Sequence, residues 1–410
     1  MKFAWALAGT LAVMQSSWAY SVLTHEAIVD SAWTGSIVPQ IKRRFPEVTA
    51  EELVEAHAYA YGGSIIQDIG YFPFGSKLFS DLAHYVRSGD LVSALLSEAQ
   101  TVDEYAFALG SLAHYASDTV GHPEAINRVV PILYPKLRAK YGAVVPYEKD
   151  PVAHLKTEFG FDVLEIAQGR YAPQSYHDFI GFKVSKQVLE RAFQDTYSLS
   201  LTDVFLDLDL ALGTYRKTVG SLIPTMTRVA WQNKRDEIQK SQPGITKETF
   251  LYNLSRSSYE KEWGRTYRKP GVGTRFLAFC FQVLPKIGPL RVFSYRVPDP
   301  PSEKLFMASF NDTVTSYREL LNLQATNPLQ LLPDRNLDTG ILTKRGSYGK
   351  EDRAYEILLE KLSERKQEIN PRLVSTILDY YGAAGEAASK RAQRGLSMLR
   401  QSVILQVNHD

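Results

Sequence analysis

One segment of the chain places three chelating side chains in a row, and this row restricts how the segment can be packed. Between residues 101 and 117, apolar residues recur every three or four positions, which predicts an amphipathic helix. His114, Asp118 and His122 follow one another at four-residue intervals. At 3.6 residues per turn each interval rotates by only about 40°, so the three side chains share one helix face. We interpret this row of imidazole and carboxylate groups as a candidate metal site.

A second pair has the same spacing. His154 and Glu158 lie on a helix predicted from residue 153 to residue 167. Each pair has an ordinary alternative: a hydrogen bond along the helix face for His114 with Asp118, and a solvated pair of about 0.3 kcal/mol for His154 with Glu158. Two such pairs in one chain favour the metal interpretation.

Further candidate ligands precede these helices. Asp68 is followed closely by a glycine and is expected near a turn, and His84 lies in a short helical segment. A histidine taken alone, such as His84 or His25, is more often a hydrogen-bonded core residue than a ligand. Three other histidines have no chelating partner at helical spacing and are expected to be structural or terminal: His57, His177 and His409.

The 410-residue chain is predicted to be all-α. Its composition, with 44% apolar and 22% charged residues, is that of an ordinary globular protein. A helix with an N-cap at Thr49 is predicted to follow that residue, and prolines at 131, 135, 146 and 151 predict a looped connection. Residues 336–349 form a polar loop, and the remaining periodic segments predict helices over 186–193, 201–217, 227–241, 302–321, 350–366 and 372–401.

The length favours more than one structural unit, because a single core stops growing at about 250 to 300 residues. We expect a leader at residues 1–19, a domain carrying the candidate ligands at 20–200, and a helical region of unknown role at 201–410. The apolar segment 274–297 is interrupted by Pro285 and Lys286, which predicts a core helix and not a membrane span.

The first nineteen residues resemble a secretory signal. Lys2 precedes an apolar run over 3–14, and Ser17, Trp18 and Ala19 form a cleavage site with small residues at its ends. Cleavage would make Tyr20 the first residue and export the protein to a periplasm or to the medium; the alternative is an uncleaved anchor. Cys280 is the single cysteine, so no intrachain disulfide and no thiolate cluster is expected.

The charge balance argues against a stable nucleic-acid partner. Lysine and arginine number 47 against 45 acidic residues, a formal net charge of +2. A balance this even supplies little attraction for a phosphate backbone or an anionic membrane.

The ordered set of candidate residues resembles the trinuclear zinc site of the bacterial zinc-dependent phospholipases C, which is similar to that of the fungal single-strand nucleases. The set is Tyr20, His25, Asp68, His84, His114, Asp118, His122, His154 and Glu158. In that family the free N-terminal residue is itself a ligand, so the leader and the metal interpretation support each other. The resemblance covers about residues 20 to 165 and implies a multi-helix phospholipase C-like or nuclease-like domain.

The resemblance implies about three zinc ions. Asp68, His84, His114 and Asp118 would hold one, Tyr20, His25 and a bridging Asp118 a second, and His122, His154 and Glu158 a third. Two departures from the family are visible: tyrosine replaces the usual N-terminal tryptophan, and His122 follows Asp118 more closely than usual. Pro123 also disfavours the helical conformation at His122 and predicts that the helix ends at Gly121.

The activity that the resemblance implies is hydrolysis of a phosphoester by a metal-activated water, with Asp68 orienting or deprotonating that water and Asp118 bridging two metals. A phospholipid is the expected substrate, and any membrane contact is expected to be peripheral. A nuclease or 3′-nucleotidase is the alternative, for which nearby aromatic residues would stack on bases: Tyr59, Tyr61, Tyr71, Phe72 and Phe74. The same residues would equally suit a core or a choline-type headgroup. A third hypothesis is a non-catalytic exported protein whose zinc ions only stabilise the packing of its helices.

Overall fold

The computed structural model describes residues 22–72, 74–167, 183–217, 236, 239, 295–364, 369–382 and 389–407. These residues form helices and loops, and their only β-type pairing is an isolated bridge between Arg335 and Leu342. The predicted all-α class is therefore confirmed. Several predictions fall wholly or largely outside the described residues: the leader at 1–19, the helix at 227–241, the apolar segment 274–297, and the residues Tyr20, His177, Cys280 and His409.

The first part of the chain contains ten described α-helices. They are α1 (Val22–Ala32), α2 (Val38–Arg44), α3 (Ala50–Ile65), α4 (Lys77–Tyr85), α5 (Ser88–Glu98), α6 (Val102–Gly121), α7 (Asn127–Leu133), α8 (Pro135–Tyr141), α9 (Pro151–Ala167) and α10 (Lys186–Tyr197). Two π-helical turns, Trp33–Ile37 and His122–Ile126, follow α1 and α6, and a 3-10 helix, Ile66–Tyr71, follows α3.

The described helices that follow are α11 (Leu208–Lys217), α12 (Pro300–Thr326), α13 (Gly349–Ser363), α14 (Pro371–Tyr381) and α15 (Lys390–Val407), and a short 3-10 helix, Leu201–Asp203, precedes α11. No helix in the described part of the chain is both long enough and apolar enough to cross a membrane. The division of the chain at about residue 200 stays a prediction.

Helix α3 begins as the sequence predicts. The Thr49 side chain accepts a hydrogen bond from the Glu52 backbone N–H, and the Glu52 carboxylate accepts one from the Thr49 backbone N–H. This capping box satisfies two donors that a helix start leaves without partners. It fixes the start of the helix whose last turn contacts the candidate site.

Helices α3 and α6 pack closely through a pair of glycines. A Cβ atom added to Gly63 of α3 would lie 1.9 Å from the Phe107 carbonyl oxygen, and one added to Gly110 of α6 would lie 1.9 Å from the Ala60 carbonyl oxygen. Each glycine thus admits the backbone of the opposite helix, and this close approach places α6 beside the C-terminal turn of α3.

We expect Gly110→Ala to lower the free energy of unfolding by about 1 to 3 kcal/mol, because the added methyl group must push two helix backbones apart. Gly213→Ala on α11 is the matched control, since a Cβ there meets no atom within 4 Å. The control should leave stability unchanged or raise it by up to about 1 kcal/mol through helix propensity. Chemical denaturation of the two variants measures both effects, and equal stabilities would contradict the close packing.

The proline-rich connection predicted as a loop contains two helices. Pro131 lies inside α7 and Pro135 begins α8. A proline inside a helix deprives the carbonyl four residues earlier of its donor. For Pro131 this carbonyl belongs to Asn127. The Val145 N–H donates to it at 2.8 Å, so a tertiary hydrogen bond that the sequence pattern did not reveal replaces the missing helical one.

Two segments that were each predicted as a single helix contain two helices. The segment 372–401 forms α14 and α15, and Gly382 after α14 has a φ of +71°, which ends a helix and is readily adopted by glycine. The segment 201–217 forms the short 3-10 helix and α11, with Asp207 accepting a hydrogen bond from the Leu210 N–H at the start of α11.

Helix α12 packs against the helices of the N-terminal part. The Tyr317 hydroxyl donates to the Leu109 carbonyl of α6 at 2.9 Å, and the Phe306 ring stacks on Phe161 of α9 with centroids 4.1 Å apart. All four residues are buried. Residues beyond 295 therefore contribute directly to the core around α6.

Candidate metal centre

Helix α6 carries His114 and Asp118 into the interior, where both are fully buried. The Nδ1 atom of His114 lies 2.9 Å from the Ser64 carbonyl oxygen in the last turn of α3. A carbonyl only accepts, so Nδ1 must carry a proton, and in the neutral imidazole Nε2 then keeps its lone pair. That Nε2 atom lies 3.2 Å from Oδ2 of Asp118.

His84, near the end of α4, is oriented in the same way. Its Nδ1 donates to the Ser80 carbonyl at 2.8 Å, and its Nε2 lies 3.3 Å from Nε2 of His114. In their neutral forms the two imidazoles therefore direct lone pairs at each other, and Oδ1 of Asp68 lies 3.2 Å from the His84 nitrogen. Such an arrangement needs a cation or extra protons between the groups to be stable.

His25 of α1 lies against the other side of the same cluster. Its ring stacks on His114 with centroids 4.4 Å apart, and its Nε2 lies 3.6 Å from Oδ1 of Asp118 and 3.9 Å from Oδ2 of Asp68. The two oxygens of Asp118 thus face different histidines, since Oδ2 lies near His84 and His114. A carboxylate whose two oxygens face different imidazoles could bridge two cations.

His122, His154 and Glu158 form a neighbouring group. The two imidazole rings stack with centroids 6.1 Å apart. Nε2 of His154 donates to the Val145 carbonyl at 2.5 Å, which leaves Nδ1 facing Glu158 Oε1 at 3.7 Å. Both oxygens of Glu158 are buried and accept no hydrogen bond from the described residues.

The backbone at His122 differs from the sequence expectation. Helix α6 ends at Gly121 as predicted, but His122 keeps helical dihedral angles (φ −62°, ψ −59°) and the chain continues into the π-helical turn. The His122 N–H still donates to the Asp118 carbonyl, so His122 continues the last turn of α6 although a proline follows it. His122 therefore stays on the face of Asp118, whose Oδ1 lies 4.0 Å from His122 Nε2.

Together the ligand atoms form three groups whose members lie within 4.8 Å of one another: His25 with His114 and Asp118, Asp68 with His84 and His114, and His122 with His154 and Glu158. The structure thus brings together eight of the nine candidate ligands. The ninth, Tyr20, lies outside the described residues. His57 lies elsewhere, hydrogen-bonded to Asp30 at 2.8 Å and stacked on Trp33, in the structural role expected of it.

The charges in the cluster are poorly balanced without cations. Burial raises the pKa of Glu158 well above its usual range, and the charges of Asp68 and Asp118 raise it further. Burial lowers the pKa of His154 to about 4. Burial also disfavours protonation of His84, but the adjacent Asp118 and Asp68 carboxylates outweigh it and raise its pKa to about 10.

The donor set fits zinc. It consists of imidazole nitrogens and carboxylate oxygens, with no thiolate among the grouped residues, and these are ordinary zinc ligands. Backbone carbonyls fix the orientation of three of the imidazoles, as is usual around protein-bound zinc.

Sequence reasoning missed two residues near the cluster. Asp338, in the predicted polar loop, lies 3.0 Å from Nδ1 of His122. The Lys350 ammonium lies 4.6 Å from the centroid of the Tyr147 ring, and that ring is nearly perpendicular to the His154 ring at a centroid distance of 5.8 Å. Asp338 lies in a loop, which has no periodicity to show which side chains face inward. Lys350 lies in the first turn of α13, and the helical pattern there does not relate it to the ring of Tyr147.

The aromatic residues near residue 70 differ in their surroundings. Tyr61, Tyr71 and Phe72 are buried, and the Tyr71 ring lies 5.8 Å from the His84 ring. Phe74 is 56% exposed, so it is the most accessible of the set for a substrate group.

Residues 24–206 match the profile of a family described as zinc-dependent phospholipase C. This range contains the eight candidate ligands that the structure describes. Comparisons with curated proteins and with solved structures returned no match.

Proposed function

We propose that the protein is an exported zinc metallohydrolase that cleaves a phospholipid at the phosphoester bond to the lipid alcohol. Residues 24–206 support this proposal, because they match the family described as zinc-dependent phospholipase C. The observation that carries this proposal is the position of Asp118, whose two buried oxygens face two different groups of imidazoles. Asp118 with His25, His84 and His114 would hold zinc, and bound zinc would supply Lewis-acid chemistry toward a water molecule and a phosphate group.

The residues of the chain would position the attacking water and accept its proton. The Asp68 carboxylate lies between His84 and His25, at 3.2 and 3.9 Å, where it would orient the attacking water and accept its proton. The water oxygen would bond to phosphorus while the phosphorus–oxygen bond to the lipid alcohol breaks, and the departing alkoxide would take up a proton in place of the one that Asp68 accepts. The products are the alcohol and a phosphorylated headgroup.

Lipid hydrolysis is tested with the purified chain beginning at Tyr20. We expect turnover of a phosphatidylcholine vesicle or a soluble phosphocholine ester, loss of turnover on chelation, and recovery when zinc is restored. Single-stranded DNA and a nucleoside 3′-phosphate are the comparison substrates. Preferential cleavage of either one would replace the lipid proposal by the nuclease or nucleotidase alternative. Zinc-loaded protein without activity on any of them would favour the purely structural role for the metals.

A further inference from the structure

Asp338 lies outside the segment that matches the family, in the loop between α12 and α13. Its Oδ1 lies 3.0 Å from Nδ1 of His122, and both side chains are only 3% exposed. The two atoms are at ion-pair distance without the alignment of a regular hydrogen bond, and the negative charge of the carboxylate favours the proton of the neutral imidazole on Nδ1. The lone pair of His122 is then on Nε2, which faces Asp118.

The Asp338 carboxylate is itself held in place. Its Oδ2 accepts hydrogen bonds from the Tyr147 backbone N–H at 2.9 Å and from the Tyr348 hydroxyl at 2.6 Å. Its backbone carbonyl accepts one from the Asn127 side chain at 2.7 Å. A carboxylate with these contacts on one oxygen can present the other in a single direction to His122.

The loop is also fastened to the rest of the cluster. The Leu337 N–H donates to the carbonyl of His84 at 3.0 Å. Gly340 has a φ of +71°, and a Cβ there would lie 2.5 Å from the Thr119 carbonyl oxygen in the last turns of α6. A residue with a side chain would keep the loop from lying this close to α6, so glycine at this position permits Asp338 to reach His122.

We propose that Asp338 is a positioning residue of the metal centre, and that the region after residue 206 thereby completes a site whose ligands all precede it. The carboxylate fixes the tautomer and orientation of His122 and strengthens its Nε2 as a zinc ligand, as carboxylates behind zinc-bound histidines do. This inference rests on the proposed zinc function and assigns a role to the C-terminal region.

The test compares Asp338→Asn with Asp334→Asn in the zinc-loaded full chain beginning at Tyr20. An amide at 338 has no negative charge, and if its oxygen accepts the hydrogen bonds of Tyr147 and Tyr348, its NH2 group faces Nδ1 of His122 and disfavours a proton there. Asp334 is the matched control, because it is a carboxylate on the same loop that accepts a hydrogen bond from the Asp90 N–H at 3.0 Å and forms no ion pair with a described histidine. Both variants should lose some thermal stability.

Chelator titration distinguishes positioning from loop anchoring. Asp338→Asn should bind one zinc ion about 10 to 100-fold more weakly while the others are retained, and Asp334→Asn should bind all of them as the wild type does. Wild-type zinc affinity in Asp338→Asn would overturn the inference. Wild-type protein that holds zinc but cleaves no phosphoester would instead overturn the proposed function and leave the comparison of affinities valid.

Tyr348→Phe provides a second test if Asp338→Asn does not fold. It removes one hydrogen bond to Asp338 Oδ2 and leaves the His122 contact in place. We expect a smaller loss of affinity for the same single zinc ion, and an unchanged affinity would contradict the positioning role.

Discussion

Asp118→Ala is expected to abolish hydrolysis, with a loss of several orders of magnitude in turnover, and to remove two zinc ions together. Asp118 is fully buried, and its two oxygens lie between the imidazoles of His25 on one side and of His84 and His114 on the other. Alanine would leave both groups short of a ligand, and the attacking water would lose both of its Lewis acids. Metal analysis of the dialysed variant and its rate on a phosphocholine ester measure the two effects.

Asp30→Ala is the control for this variant. Asp30 accepts hydrogen bonds from Nε2 of His57 at 2.8 Å and from the Tyr61 hydroxyl at 2.5 Å, so it is also a carboxylate paired with a histidine. Its removal should cost about 1 to 3 kcal/mol of stability but leave zinc content and turnover intact. If Asp118→Ala kept its full zinc content and wild-type turnover, the metal centre would be misassigned.

An N-terminal extension should disable the second zinc site without changing a side chain. The leader predicts that Tyr20 is the first residue of the exported protein, and the family resemblance makes its free amine a ligand beside His25. A few residues added before Tyr20 convert that amine into an amide, which has no lone pair available for a metal. Loss of a ligand should weaken zinc binding at least as much as loss of a hydrogen-bond partner of a ligand, which costs about 10 to 100-fold in affinity. Turnover should fall with zinc affinity.

Two comparisons make this experiment specific. The same residues added after Asp410 should leave zinc content and rate unchanged, and proteolytic removal of the N-terminal extension should restore both. The mass of the exported protein shows at which residue the natural chain begins. A mass that includes Lys2 would show that the leader is not cleaved. An extended protein with normal zinc affinity and normal rate would mean that Tyr20 is not a ligand.

Residues close together in sequence could be placed from the sequence. The four-residue spacings of His114 with Asp118 and of His154 with Glu158 are properties of any α-helix, so both pairs were predicted on shared faces and lie there. The Thr49 cap and the all-α class follow from equally local rules. Grouping these pairs with His25, Asp68 and His84 required the family resemblance, because no local spacing relates them.

The tertiary structure alone decided the contacts between distant segments. Local rules predicted that Pro123 would turn His122 away from the helix, yet His122 keeps helical dihedral angles and lies on the face of Asp118. Pro131 fits inside a helix because Val145 supplies the missing donor. Asp338 reaches His122 across more than two hundred residues because the packing of its loop on α6 brings them together, and packing of this kind depends on the whole fold and leaves no periodic pattern in the sequence.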